Sequence, residues 1–307
     1  MRSMALLYMV LALLLGGCAG GERPVGPGGV VIDDSHSSSA HSSRVRFLVL
    51  HYTDEDEATS LEILSGPRVS AHYLVPRRPG RERGAPRVYR LVDESRRAWH
   101  AGASAWADRT HLNDSSLGIE LVNAGPDRPS IEAASTVAWA PFPDEQITAL
   151  IALLRDLIAR HDIAPTDLLG HAEIAPTRKI DPGPAFPWRR LYAAGIGTWP
   201  LEADLARYRR LFAAGPPPLA VLQRALAAWG YAVTPSGELD SATRGALRAF
   251  QMRYRPADYR GRPDADTAAR LWALLARYRP EALADPALAS PLSPSAATPG
   301  KPPAPRG

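Results

Sequence analysis

Between Asp144 and His161, apolar residues fall at Ile147, Leu150, Ile151, Leu154, Leu157 and Ile158. That three-and-four spacing lines them along one side of a helix and leaves the other side polar. Such a helix is stable only against a second apolar layer, so the chain must supply one. Apolar runs of strand length occur at residues 45–50, 71–75, 88–92 and 117–122, and they are the expected partner layer. A shorter helix is expected over Glu57–Leu64. Pro165 closes the long helix, Leu168-Leu169-Gly170 leads into His171, and an irregular proline-rich stretch follows through Trp188. Strands interspersed with helices predict an α/β, or α+β, domain over residues 44–200, with a central mixed sheet flanked by helices and a site in a surface groove.

The ends of the chain have a different composition. Residues 1–17 carry Arg2, an apolar run from Met4 to Leu15 and then small residues, the order of a secretory signal peptide. The run is too short to remain as a membrane span. It closes on Leu15-Gly16-Gly17-Cys18, which resembles a bacterial lipobox, and Cys18 is the only cysteine in the chain. A lipid on Cys18 is therefore expected, with a membrane as partner, and no internal disulfide can form. Ala19 follows the cysteine, and by resemblance to Gram-negative lipoproteins this implies an outer-membrane lipoprotein facing the periplasm. Residues 18–43 are rich in Gly, Pro, Ser and His and read as a lipidated flexible tether. His36 and His41 within it are given no role.

Beyond Pro200 an amphipathic stretch, taken as a linker over 201–217, leads to Pro216-Pro217-Pro218. Three short helical patterns follow over 218–280. Gly237-x-x-Asp240-x-x-Thr243 recurs 24 residues later as Gly261-x-x-Asp264-x-x-Thr267, a turn glycine followed each time by a helix-capping aspartate. Pro, Ala and Ser dominate 281–307, which reads as a disordered tail. The balance of 36 Lys and Arg against 32 Asp and Glu is a mild excess, too small to indicate a nucleic-acid partner. Nothing in the sequence calls for a dimer, and a monomer is expected.

Two histidines outside the tether, His51 and His171, each end an apolar strand, where a rigid element can aim a side chain. Asp181 follows ten residues after the second. Two imidazoles, one carboxylate and an open fourth position are a catalytic zinc set. On these residues alone, hydrogen-bonded structural histidines are the commoner explanation. Glu120 alternates with residues suited to a buried face, so an unpaired carboxylate there calls for a nearby cation. Lys179 lies two residues before Asp181 and reads either as a site residue or as a solvated lysine.

The stretches FLVLHYT around His51, VSAHYLV around His72, AWHAG around His100, SLGIELVN around Glu120 and GHAEIAPTRKIDPGPAFPW from Gly170 occur in that order. Together they resemble the zinc-dependent N-acetylmuramoyl-L-alanine amidases related to bacteriophage T7 lysozyme (amidase type 2), and within them the lipoprotein amidases of the AmiD type. The resemblance covers most of residues 45–200. It implies hydrolysis of the amide between N-acetylmuramic acid and the first L-alanine of the peptidoglycan stem, in wall turnover or recycling. It implies one Zn2+ held by His51, His171 and Asp181, with Glu120 and Lys179 as the catalytic side chains. Glu120 would manage the protons and Lys179 the developing oxyanion. His72, His100 and Asn123 are candidate substrate contacts, the two histidines equally well hydrogen-bonded core residues. Many members have Tyr where Ala71 stands, a departure that favours the Glu-and-Lys form of the site.

The arginine-rich loop with Arg77, Arg78, Arg81, Arg83 and Arg87, and the segment 124–142 with Trp139, are candidate lips of the groove. Leu222, Leu226, Gly230-Tyr231, Gly237, Asp240, Thr243, Ala246-Leu247 and Phe250-Gln251 resemble the three-helix peptidoglycan-binding domain. Peptidoglycan and muropeptides are thus the expected partners. The rival reading is a lipoprotein that binds muropeptides, or tethers membrane to wall, without cutting; the complete ligand set argues against it. A zinc peptidase acting within the stem is the nearest enzymatic alternative.

Overall fold

The computed structural model describes residues 25–127 and 137–292 and divides into two units, Met1–Ser42 and Ser43–Gly307. The expected signal peptide, Cys18 and residues 293–307 of the expected tail lie outside the described residues. In the first unit, residues 25–42 are exposed apart from Gly26, and Val25 pairs with Val31 across a glycine turn.

The second unit is built on a five-stranded sheet. In chain order the strands are β1 (Phe47–Tyr52), β2 (Tyr73–Val75), the hairpin β3 (Arg81–Glu82) and β4 (Ala85–Pro86), β5 (Tyr89–Arg90), the hairpin β6 (Ala105–Trp106) and β7 (Arg109–Thr110), β8 (Ser116–Leu121) and β9 (Leu168–Gly170). The sheet order is β5-β2-β8-β1-β9. β1 runs parallel to β8 and β9, and β2 runs parallel to β8. β5 alone is antiparallel. A parallel sheet is buried on both faces, which is why β1 and β8 read as nearly continuous apolar runs.

Alternation along those strands sorts their side chains into two cores. Leu48 and Leu50 of β1, with Leu117, Ile119 and Leu121 of β8, pack under helix α2 (Asp144–His161) against Ile147, Leu150, Leu154 and Leu157. The short helix α1 (Glu57–Leu64) is capped by Asp56, whose side chain accepts the Thr59 amide. On the other face, Phe47, Val49 and Leu169 join a core that continues into the C-terminal helices. Those are α5 (Glu202–Leu211), α6 (Leu219–Trp229), α7 (Ser241–Tyr254) and α8 (Ala265–Tyr278), preceded by the short α3 (His171–Ile174) and α4 (Trp188–Ala193). Among the described residues no helix is long and apolar enough to cross a membrane.

Two segments differ from the sequence reading. The stretch taken as a linker is helix α5, because Leu205, Tyr208 and Phe212 recur on one side and are buried in the core shared with α8. The tail expected from 281 is ordered to 292: a 3-10 turn over Pro280–Ala284 precedes α9 (Pro286–Ala289). Asp285 caps α9 with Pro286 at its first position, Leu288 is buried, and the Trp272 indole donates to the Leu288 carbonyl at 2.9 Å. In such a case proline starts a helix, since its missing N–H is not needed there.

The repeat has a structural cause in both copies. Asp240 and Asp264 cap α7 and α8 by accepting the amides of Thr243 and Thr267 at 2.7 and 2.9 Å. A buried glutamine completes each turn: the amide oxygens of Gln223 and Gln251 accept the Gly237 and Gly261 N–H groups, both at 2.8 Å.

Candidate active site

The parallel register fixes where the site can be. Leu50 lies beside Gly170, and His51 lies beside Glu120. The carboxyl ends of β1, β8 and β9 therefore present His51, Glu120 and His171 together, where open α/β sheets gather their ligands. Asp181 reaches the same point because its carbonyl accepts the Ala172 amide at 2.8 Å, at the start of α3. These residues, with Lys179, Arg178, His100 and Tyr52, line a pocket of about 400 Å³. Ile63, Val69 and Trp99 line it too, and all three are exposed large apolar side chains, so they give it an apolar lip.

His51 Nδ1 and His171 Nδ1 are 2.9 Å apart, and Asp181 Oδ2 lies 3.1 Å from each. All three residues are buried. The far sides of the rings determine what these atoms offer. His171 Nε2 is 3.1 Å from the Ala101 carbonyl, which can only accept, so the proton is on Nε2 and Nδ1 presents a lone pair. His51 is fixed through a relay. The Ser116 hydroxyl donates to the Leu112 carbonyl at 2.6 Å, so its oxygen accepts from His100 Nε2 at 3.1 Å. His100 Nδ1 then accepts from His51 Nε2 at 3.0 Å, which leaves His51 Nδ1 a lone pair as well. Two neutral imidazoles and a carboxylate thus turn three acceptors toward one point, an arrangement that a cation relieves. The residues fit a divalent metal, and the partners behind the ligands are of the kind that fix ring orientation at such centres.

Electrostatics agree. Burial, then the neighbouring His171, push His51 down to about 4, so its ring is neutral at ordinary pH. Burial works to raise Asp181, but the two histidines outweigh it and hold the carboxyl far below the usual range. Burial, then the Asp181 charge, push Glu120 well above the usual carboxylate range, with Lys179 acting the other way. Glu120 Oε2 is buried without a hydrogen-bond partner, a costly state unless a cation or substrate satisfies it.

Of the candidate substrate contacts, His100 lines the pocket with both ring nitrogens engaged in the relay. His72 takes the core alternative and does not line the pocket: it is fully buried, its Nδ1 accepts the Gly118 amide at 2.9 Å and its Nε2 donates to the Arg96 carbonyl at 3.1 Å. Asn123 is also buried. Its side chain accepts from Gly125 N at 2.8 Å and donates to the Ala140 and Pro141 carbonyls, pinning a loop, and it does not line the pocket. The arginine-rich loop and Trp139 do not line the pocket either. Arg77 donates to the Pro141 carbonyl, and the Trp139 indole donates to Tyr259 at 2.9 Å.

Sequence reasoning missed the Ala101 carbonyl, Ser116, Asn113 and Arg178. Asn113 Oδ1 accepts the amides of His100 and Ala101 at 3.1 and 2.8 Å, holding the strap that faces His171. Arg178 donates to the Ala101 and Ala103 carbonyls. No local pattern marks them, since each acts through a partner distant in sequence.

Residues 41–184 match the N-acetylmuramoyl-L-alanine amidase family, and residues 216–271 match a peptidoglycan binding domain. The N-acetylmuramoyl-L-alanine amidase AmiD of Escherichia coli is 45% identical over 271 residues, covering 87% of this chain and 95% of AmiD. The chain belongs to the N-acetylmuramoyl-L-alanine amidase family. A solved complex of E. coli AmiD with anhydro-N-acetylmuramic acid-L-Ala-D-gamma-Glu-L-Lys superposes with TM-score 0.74 at 43% identity, covering 83% of this chain and 97% of that one. AmpDh3 of Pseudomonas aeruginosa, in complex with an anhydromuramic pentapeptide, gives TM-score 0.73 at 41% identity over 81% and 99% of the two chains. Both matches extend through the C-terminal helices, so this amidase shares the whole two-part arrangement with them.

Proposed function

We propose that this amidase is zinc-dependent and hydrolyses the amide joining the lactyl group of N-acetylmuramic acid to the L-alanine of the stem peptide, in cell-wall turnover or recycling. The observation that supports it is the convergence of three acceptors, His51 Nδ1, His171 Nδ1 and Asp181 Oδ2, in one pocket with Glu120 and Lys179. Zinc held by those atoms would supply Lewis acidity toward the scissile carbonyl and an acidified water, with a pKa of about 7. Glu120, held in the pocket by β8, takes the proton of the attacking water and delivers it to the departing alanine nitrogen, which leaves as a neutral amine. Its elevated proton affinity suits the second half of that task, and a divalent cation beside it would favour the first. Lys179 places an ammonium in the same pocket, where it can stabilise the oxyanion. The lip of Ile63, Val69 and Trp99 offers an apolar edge for the sugar ring. Fragments ending in anhydromuramic acid, the ligands of the two relatives, are within the expected substrate range.

The membrane anchor is part of the same reading. A lipid on Cys18 would hold a monomeric enzyme at the outer membrane, facing the periplasm, as the Leu15-Gly16-Gly17-Cys18 sequence suggests. Removing one ligand tests the catalytic part. His171→Ala should lose bound zinc and the release of free stem peptide together; retained, chelator-sensitive cleavage would contradict the proposed ligand set.

A further inference from the structure

We propose that helix α7 of the peptidoglycan-binding module positions the metal ligands, holding residues 168–178 through Gly245, Arg248 and Arg253 and thereby setting the affinity of the site for its metal. The inference rests on the reading of His51, His171 and Asp181 as metal ligands. Residues 168–178 contain His171 and run directly into Lys179 and Asp181, so their conformation decides where two of the three ligands stand.

Helix α7 grips this segment at three places. Gly245 lets the helix backbone approach Pro176: a Cβ there would lie 2.7 Å from the Pro176 carbonyl oxygen. Arg248 Nη2 donates to that same carbonyl at 2.8 Å. Arg253 Nη1 donates to the Leu168 carbonyl at 2.9 Å and to Glu173 Oε2 at 2.8 Å, with both side chains 3% exposed. Glu173 Oε2 in turn accepts the amide of Gly170, the residue before His171, at 2.7 Å. The guanidinium also lies over the Trp188 ring, 4.0 Å from its centre. A buried pair of this kind contributes little net stability against an apolar replacement, yet it tolerates few geometries, so its effect is to fix the corner between β9 and α3. The shared core removes the slack that a flexible linker would give. The module is therefore part of the site's framework as well as a wall-binding attachment.

The test compares zinc affinity, by competition with a chromophoric chelator, in the full chain and three variants confirmed as folded by near-ultraviolet circular dichroism. Gly245→Ala improves the helix former while pressing on Pro176. Arg253→Met with Glu173→Gln removes the buried charges together and keeps an acceptor for the Gly170 amide. Arg248→Met removes the donor to Pro176 and is the mildest of the three. Arg209→Ala breaks a surface pair with Asp266 in the same module and is the control. Zinc affinity about tenfold weaker or more in the folded variants, with the control unchanged, is the expected result. Folded variants that bind zinc as the wild type does overturn the inference and leave the metal reading intact. A wild type that binds no zinc overturns both.

Discussion

Gly118 lies in the middle of β8, and a Cβ added there would sit 2.3 Å from His100 Cγ and 2.7 Å from its Nδ1. Ordinary contact begins near 3.4 Å, so the ring must retreat by about 1 Å. The strand cannot give way, because ladders to β1 and β2 pin it on both sides. The three nearest atoms all belong to the His100 ring, whose Nδ1 is the acceptor for His51 Nε2 at 3.0 Å. A retreat of that size breaks the bond and frees His51 to rotate away from the metal position. Overpacking costs about 1–3 kcal/mol, and the lost hydrogen bond adds about 1 kcal/mol. Gly118→Ala should therefore destabilise the protein by about 2–4 kcal/mol in urea unfolding. Zinc affinity should fall about 10- to 100-fold, as loss of a ligand's supporting partner does. Gly80→Ala, whose Cβ meets nothing closer than 4.0 Å, should behave as the wild type in both assays. A Gly118→Ala protein with wild-type zinc affinity would refute the relay from Leu112 through His100 to His51.

Glu120→Gln should keep its zinc but lose about 10²- to 10⁴-fold in kcat, the contribution of a proton carrier; kinetics on a purified muropeptide beside a zinc titration separates the two effects. Acid stability should depend on Glu94, which binds Tyr73, Arg160 and His161. The Arg160 contact, against the pull of burial, holds the Glu94 carboxyl well below the usual range. A carboxyl lowered by folding stabilises above its unfolded pKa, about 4.3, and that stability is lost as pH falls through the lower folded value. Chemical unfolding of the wild type should thus weaken steeply below about pH 4, whereas Glu94→Gln should be weaker by about 1–2 kcal/mol near neutrality and fall less steeply. Parallel pH profiles would contradict this.

The long helix was legible because six apolar residues keep one period over Asp144–His161, and the structure has it at those bounds. The meeting of His51 and His171 was legible in part: each follows a short apolar run, and parallel pairing of such runs aligns their ends. Burial of a polar residue does not reveal its partner, and that is why the sequence left His72 open between groove and core. His72 and Asn123 sit within or at the end of apolar runs just as Glu120 does, yet main-chain groups satisfy their side chains and the pocket does not. Arg178 and Lys179 are neighbours of like charge, and only folding turns the first to the Ala101 carbonyl. Helix α5 was hidden by its many charged residues, since Leu205 and Tyr208 are a sparse signal until α8 provides the surface that buries them. The joining of the module to the sheet could not be read at all, because it depends on which face of β1 remains uncovered by α2.

If the three converging acceptors hold a zinc ion, amide cleavage by this chain depends on that ion. A soluble form beginning after Cys18, incubated with purified muropeptides, tests it most directly, with products identified by mass spectrometry before chelation, after chelation and after zinc is restored. Free stem peptide beginning with L-alanine should appear, be lost on chelation and return with zinc. Cleavage within the stem, or muropeptide retained intact under all three conditions, would contradict it.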